Sequence, residues 1–342
     1  MKIAIDAMGG DHAPQEIIAG VMQALAKEKD LEIILVGSEE AFAEYLPVLP
    51  ERLKTVISHS VMAMDESVEN LRKKKDSSIF MATQLVAEKK ADAIISCGST
   101  GAQMGAALLL LGRVKGVKRP AIVIPYPTLK GPKVFLDGGA NAEADQRNLL
   151  DFAIMGNAYA RFLTKKERPE VALLSNGSEA HKGTAVVREA HQLMAAAKGL
   201  DFIGNLEGRD IMTGDYDVLV TDGFTGNLAL KLTEGVASGL FHLIKEEITA
   251  TATRKIGAAL VKPGLKNIAQ RFDYSNYGGA PLLGVNGVSL VCHGSSKATA
   301  VENAIYNAAS FVKQNFIEEL TNDIAAYHEE QKQDLIGGKE NE

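Results

Sequence analysis

The sequence has no tryptophan, only two cysteines among 342 residues, and no apolar run of 18 residues. Two cysteines, Cys97 and Cys292, are too few for a disulfide framework and fit a reducing compartment. Without a long apolar run, a membrane-spanning helix of ordinary length is excluded. No G-x-G-x-x-G follows any apolar run, which counts against a dinucleotide loop. Neither H-x-x-x-H nor C-x-x-C occurs, so no short metal motif is present and no metal or cofactor is expected. The N-terminus reads as a strand with a single lysine, so no secretory leader is expected there. Net charge is also small at −6. Residues 328–342 carry five acids and two bases, which accounts for −3 and leaves −3 for the body. That balance argues against nucleic acid as a partner. A chain of this length suffices for a large core.

Two stretches lack acids altogether. Residues 93–136 carry Arg113, Lys115, Lys118, Arg119, Lys130 and Lys133 without a carboxylate; residues 251–272 carry Arg254, Lys255, Lys262, Lys266 and Arg271 likewise. In the second, Ile256, Leu260 and Val261 precede Pro263-Gly264, and Leu265 follows. The pattern predicts a projecting amphipathic helical hairpin over 251–272, broken at Pro263-Gly264. Its apolar tip and cationic flanks suit an anionic membrane surface or a second subunit. Residues 328–342 read as a polar, disordered tail.

What recurs is short β-rich runs ending in glycine, separated by helical patterns. Examples are "IAIDAMGG", "IILVG", "AIISCG", "VFLDGG", "VALLSNG", "DVLVTDG" and "VSLVCHG". This alternation predicts an α/β fold with a largely parallel sheet covered on both faces, its ligand beyond the carboxyl ends of the strands. The loops there are rich in glycine, hydroxyls and amides: 6–14, 97–102, 137–141, 175–184, 221–227, 273–287 and 292–296. A small oxyanion such as phosphate suits such loops. Cys97 and Cys292 read as small packing residues at strand ends.

The segments "DAMGGDHAP", "SCGSTGA", "DGGAN", "SNGSEAHKGT", "TDGFTGN" and "NYGGAPLLGVNG" resemble the signatures of the bacterial acyl-acyl-carrier-protein–phosphate acyltransferases of phospholipid synthesis. The resemblance runs from the first strand to about Phe316. It implies a three-layer α/β/α sandwich with a largely parallel mixed sheet, similar to isopropylmalate and isocitrate dehydrogenases and phosphotransacetylases. Residues 1–327 are then one two-lobed unit of intertwined halves. The resemblance also implies a homodimer at the inner face of the cell membrane, taking a long-chain acyl group from acyl carrier protein to inorganic phosphate. Alternatives on the same fold are a short-chain phosphotransacetylase using acyl-CoA and an NAD-dependent decarboxylating dehydrogenase.

Under this reading, phosphate is expected at Gly9, Gly10, Ser99, Thr100, Asn176 and Lys182, with Gly183 and Thr184 beside them. Asn141 and Asn227 are expected oxyanion donors, and His12, held by Asp11, an acid–base group. Asp6, Asp222 and Gly223 are expected to shape the site, which Gly279, His293 and Ser295 complete. Arg113, Lys115, Lys118 and Arg119 are expected to dock the acidic carrier protein. Ile256, Leu260, Val261 and Leu265 are expected to touch the membrane.

Overall fold

A computed structural model describes residues 1–272 and 278–337. The chain begins β1 (Lys2–Asp6), α1 (Gln15–Lys27), β2 (Glu32–Gly37), α2 (Glu39–Tyr45), β3 (Leu53–Ile57), α3 (Ser78–Ala87), β4 (Ala93–Ser96) and α4 (Thr100–Leu110). It continues through β5 (Ala121–Ile122), β6 (Ile124–Tyr126), β7 (Lys133–Leu136), α5 (Gln146–Thr164), β8 (Glu170–Ser175), α6 (Ala185–Ala196), β9 (Asp201–Glu207) and β10 (Val218–Val220). The last part is α7 (Gly223–Thr249), α8 (Ala252–Phe272), β11 (Ala280–Leu283), β12 (Val288–Val291), α9 (Ala298–Lys313) and α10 (Phe316–Gly337).

The strands form two sheets, ordered β3-β2-β1-β4-β12-β11-β5 and β6-β7-β10-β8-β9. All neighbours are parallel except at β11, which runs against both β12 and β5, and at β6, which runs against β7. β5 and β6 flank Val123, so one extended segment edges both sheets. The strands are apolar on both faces because helices cover both. Ile3 and Ile5 pack in one core cluster with Val21 of α1 and Ile305 of α9. Ala4 points the other way, to Ala82 and Val86 of α3. That is the period-two alternation of a strand between two helical layers. Tyr159 and Phe162 of α5 meet Phe311 of α9 and Phe316 of α10 at centroid separations of 4.7–5.9 Å, tying together the helices behind the two sheets.

Three expectations change. The hairpin is formed by α7 and α8 and turns at Ala250 and Thr251, at the start of the expected stretch and not at Pro263-Gly264. Pro263 lies inside α8, where it removes one backbone hydrogen bond without ending the helix. The tail is helical as far as Gly337. The expected site loop 273–287 lies partly outside the described residues, at 273–277.

Candidate active site

Three loops at the carboxyl edge of the first sheet are knitted backbone to backbone. A Cβ on Gly9 would stand 2.7 Å from the Gly98 nitrogen and 2.6 Å from Asp6 Oδ2. The Asp11 N–H donates to the Gly294 carbonyl at 2.8 Å. Asp6 is buried beneath them and accepts from Ser96 Oγ at 2.7 Å and from the Met8 N–H at 3.1 Å. Burial raises its carboxyl above the ordinary value, against those hydrogen bonds. The crowding of Asp6, Gly9, Gly10 and Asp11 is therefore explained first by close loop packing. Asp6 is a brace and not a substrate contact.

Across from these loops, Asp137 organises the end of β7. It accepts from the N–H groups of Ile122, Gly139, Ala140 and Asn141 and from Asn141 Nδ2 at 2.7–3.2 Å. The second Asn141 amide hydrogen goes to the Pro120 carbonyl at 2.7 Å. Both donors are thus spent, which removes Asn141 as an oxyanion donor. Asp222 caps α7, accepting from the Thr225 N–H and Oγ1 at 2.8 Å each. Gly223 and Gly226 let that helix start press onto the Asp137 loop, since Cβ atoms there would come within 2.5 Å of Asn141 O and 2.0 Å of Asp137 O.

Between the two groups of loops lies a cleft of about 400 Å³. Thr100 at the start of α4, Asn227 in the first turns of α7, and Ser296 and Ala300 around the start of α9 all line it. Three helix N-termini therefore converge there, each contributing partial positive charge. Apolar lining comes from Ile122, Ile124, Leu230 and Val291, and ionisable lining from Asp11, Lys231, Glu234 and His293. Gly139, at φ 127°, leaves room for Asn227, which a Cβ would approach to 3.3 Å. The Ser295 N–H lies 3.2 Å from His293 Nδ1, and Ser295 Oγ 2.7 Å from it. Burial raises the Glu234 carboxyl, while His293 and Lys231 pull it down.

Of the expected residues, Asp11, Thr100, Asn227, Gly279 and His293 line the cleft. Gly9 and Gly10 lie immediately behind it, and Ser99 caps α4 by accepting from the Ala102 N–H. His12 is exposed and is not part of the lining. The 175–184 loop follows β8 in the second sheet, and Asn176, Lys182, Gly183 and Thr184 do not line the cleft either. Thr184 caps α6 through the Val187 N–H. Cys97 is buried, and hydrogen bonding to Cys292 together with burial pushes its thiol well up, so it packs and does not attack.

Arg113, Lys115, Lys118 and Arg119 are exposed on one loop, but Arg113 bridges Val285 ahead of β12. That puts Arg113 at the amino edge of the sheet, the length of α4 (~16 Å) from the cleft, whereas Arg119 lies three residues before the cleft-lining Ile122.

Lys231 and Glu234 were not found from the sequence. Their spacing from Asn227 was the available signal, since i, i+4 and i+7 share one helix face.

The family model described as "Fatty acid synthesis protein" matches residues 1–319. The "Phosphate acyltransferase" of Desulfitobacterium hafniense (strain DSM 10664 / DCB-2) is 50% identical over 331 residues, 96% of this chain and 98% of that protein. That of Heliobacterium modesticaldum (strain ATCC 51547 / Ice1) is 52% identical over 325 residues, 93% and 96% of the two chains. Among solved structures, a phosphotransacetylase from Streptococcus pyogenes superposes with a TM-score of 0.60 at 19% identity, covering 92% of this chain and 94% of that one. At that identity the likeness concerns the fold.

Proposed function

The chain belongs to the fatty acid synthesis protein family, and from that membership we propose that its cleft carries a long-chain acyl group from acyl carrier protein to inorganic phosphate. It is a phosphate acyltransferase serving fatty acid and phospholipid synthesis. The long chain, the carrier, the dimer and the membrane are the finer parts of the proposal. The observation that carries it is the convergence of three helix N-termini on a cleft whose apolar wall is Ile122, Ile124, Leu230 and Val291. One end of such a cleft suits a phosphate anion and the rest an acyl chain.

The chemistry asks mainly for position and charge. A thiol with an ordinary pKa of about 8.5 is a fair leaving group, and phosphate is already an anionic nucleophile. Thr100 and the α4 N-terminus hold phosphate against the thioester carbonyl. Asn227, whose amide has no hydrogen-bond partner among the described residues, donates to the tetrahedral oxyanion.

A second copy of the chain covers the outward face of α7. Phe224, Leu228, Leu232, Val236, Leu240 and Leu243 stand exposed along it, a contiguous apolar ridge of the kind that marks an interface. A membrane takes Ile256, Leu260 and Val261 of α8, which are exposed beside Arg254, Lys255 and Lys262. Leu265 is half-buried and contributes less. No helix among the described residues is long and apolar enough to cross a membrane.

Trapping the product with hydroxylamine tests the reaction. An acyl hydroxamate formed from palmitoyl-ACP and phosphate supports the proposal. Hydroxamate formed from acetyl-CoA alone would assign the cleft to short-chain phosphotransacetylation.

A further inference from the structure

Asn227, Lys231 and Glu234 share one face of α7, and all three line the cleft. Among the described residues, Lys231 is the only lysine or arginine in that lining. Lys231 is itself solvent-exposed, so its ammonium is open to ions from solution. No carboxylate among the described residues lies within salt-bridge distance of Lys231. An unpaired ammonium beside three helix N-termini is placed for an anion from solution. Glu234 follows one turn later, half-buried and without a hydrogen bond among the described residues. It faces Lys231 on its own helix and His293 from the loop after β12, while Asp11 from the loop after β1 lines the same cleft.

The proton balance of the reaction gives these two groups work. An oxygen of hydrogen phosphate bonds to the thioester carbon. The C–S bond breaks, and its electron pair leaves on sulfur. On becoming an acyl phosphate, hydrogen phosphate loses one proton; the thiolate gains one. The net transfer is a single proton from phosphate oxygen to sulfur, which one carboxylate suffices to carry.

We propose that Lys231 binds the phosphate charge and that Glu234 carries this proton from phosphate to the departing sulfur. The inference rests on the acyl transfer proposed above and reassigns to α7 the roles expected of Lys182 and His12. Because neither side chain has a hydrogen bond or salt bridge among the described residues, their replacement is expected to leave the melting temperature near that of the wild type.

Thiol release from palmitoyl-ACP by the full chain, with phosphate varied, tests the proposal. Lys231→Met is expected to raise the phosphate KM about 10- to 100-fold, the loss of one charge-assisted contact, with Lys231→Arg recovering most of it. Glu234→Gln is expected to lower kcat about 100-fold at nearly unchanged phosphate KM. It is also expected to shift the acid limb of the kcat profile, since the carrier must start ionised; Glu234→Asp recovers part of the rate. An unchanged phosphate KM in Lys231→Met overturns the first assignment. A Glu234→Gln kcat within about threefold of wild type, with an unshifted acid limb, overturns the second. Release by the wild type without phosphate would instead bring down the acyl-transfer reading itself, and this inference with it.

Discussion

The two faces of α7 were built for different neighbours. On one, Asn227, Lys231 and Glu234 look into the cleft. On the other, Leu228, Leu232, Val236, Leu240 and Leu243 stand 55–63% exposed in the single chain. The cleft face interrupts its polar residues with Leu230, which packs against Ile122 and Ile124. The outward face is apolar over about four turns, with nothing among the described residues to cover it. One rigid helix therefore links the chemistry to the surface most in need of a partner. A change on either face is felt along the same helix, and substitutions can separate the two roles.

The largest effect is expected on the cleft face. Asn227→Ala removes the proposed oxyanion donor and should lower kcat about 100-fold while leaving the phosphate KM within about threefold. A rise confined to KM would make Asn227 a binding group and blur its distinction from Lys231. On the outward face, Leu232→Glu with Leu240→Glu places two charges on the ridge. Sedimentation should then show a single chain where the wild type sediments as a pair; an unchanged pair would leave the ridge without the partner proposed for it. Further along the arm, Leu260→Glu with Val261→Glu should release the protein from anionic vesicles while turnover of soluble palmitoyl-ACP continues. Continued vesicle binding would move the membrane contact elsewhere.

The last effect falls outside both faces and on stability instead of turnover, at Asp151 of α5. Burial pushes its carboxyl up from 3.8 to about 6, against the pull of the Lys118 N–H, His328 and Lys118. From about pH 4 to about pH 6 the native state keeps a proton that the unfolded chain has lost, so stability falls as pH rises through that window. Asp151→Asn should abolish the fall and gain up to about 3 kcal/mol above it, read from denaturant melts across pH, with turnover unchanged. A wild type whose stability is flat over that window would contradict the burial argument.

The sequence disclosed the carboxyl edge of the strands, because apolar runs ending in glycine are a local signal. It did not disclose which loops converge. The loops of Gly9, Gly98 and Gly294 meet because β1, β4 and β12 are neighbours, whereas the equally rich loop of Lys182 follows β8 in the other sheet. Strand order is a long-range property that no local motif carries. Asn141 looked like a donor because its type is right, yet Asp137 and Pro120 consume its amide. Pro263 looked like a break, but α8 tolerates it on an exposed arm. Lys231 and Glu234 escaped because a helix interior reads as scaffold unless its spacing is traced back to the loop that opens it.

The most direct measurement is free-thiol release from palmitoyl-ACP by the purified protein, with and without inorganic phosphate. Acyl transfer at this cleft predicts release that requires phosphate, matched mole for mole by a hydroxylamine-reactive acyl phosphate. Release that proceeds equally without phosphate would mean that water, and not phosphate, is the nucleophile, and would contradict the account.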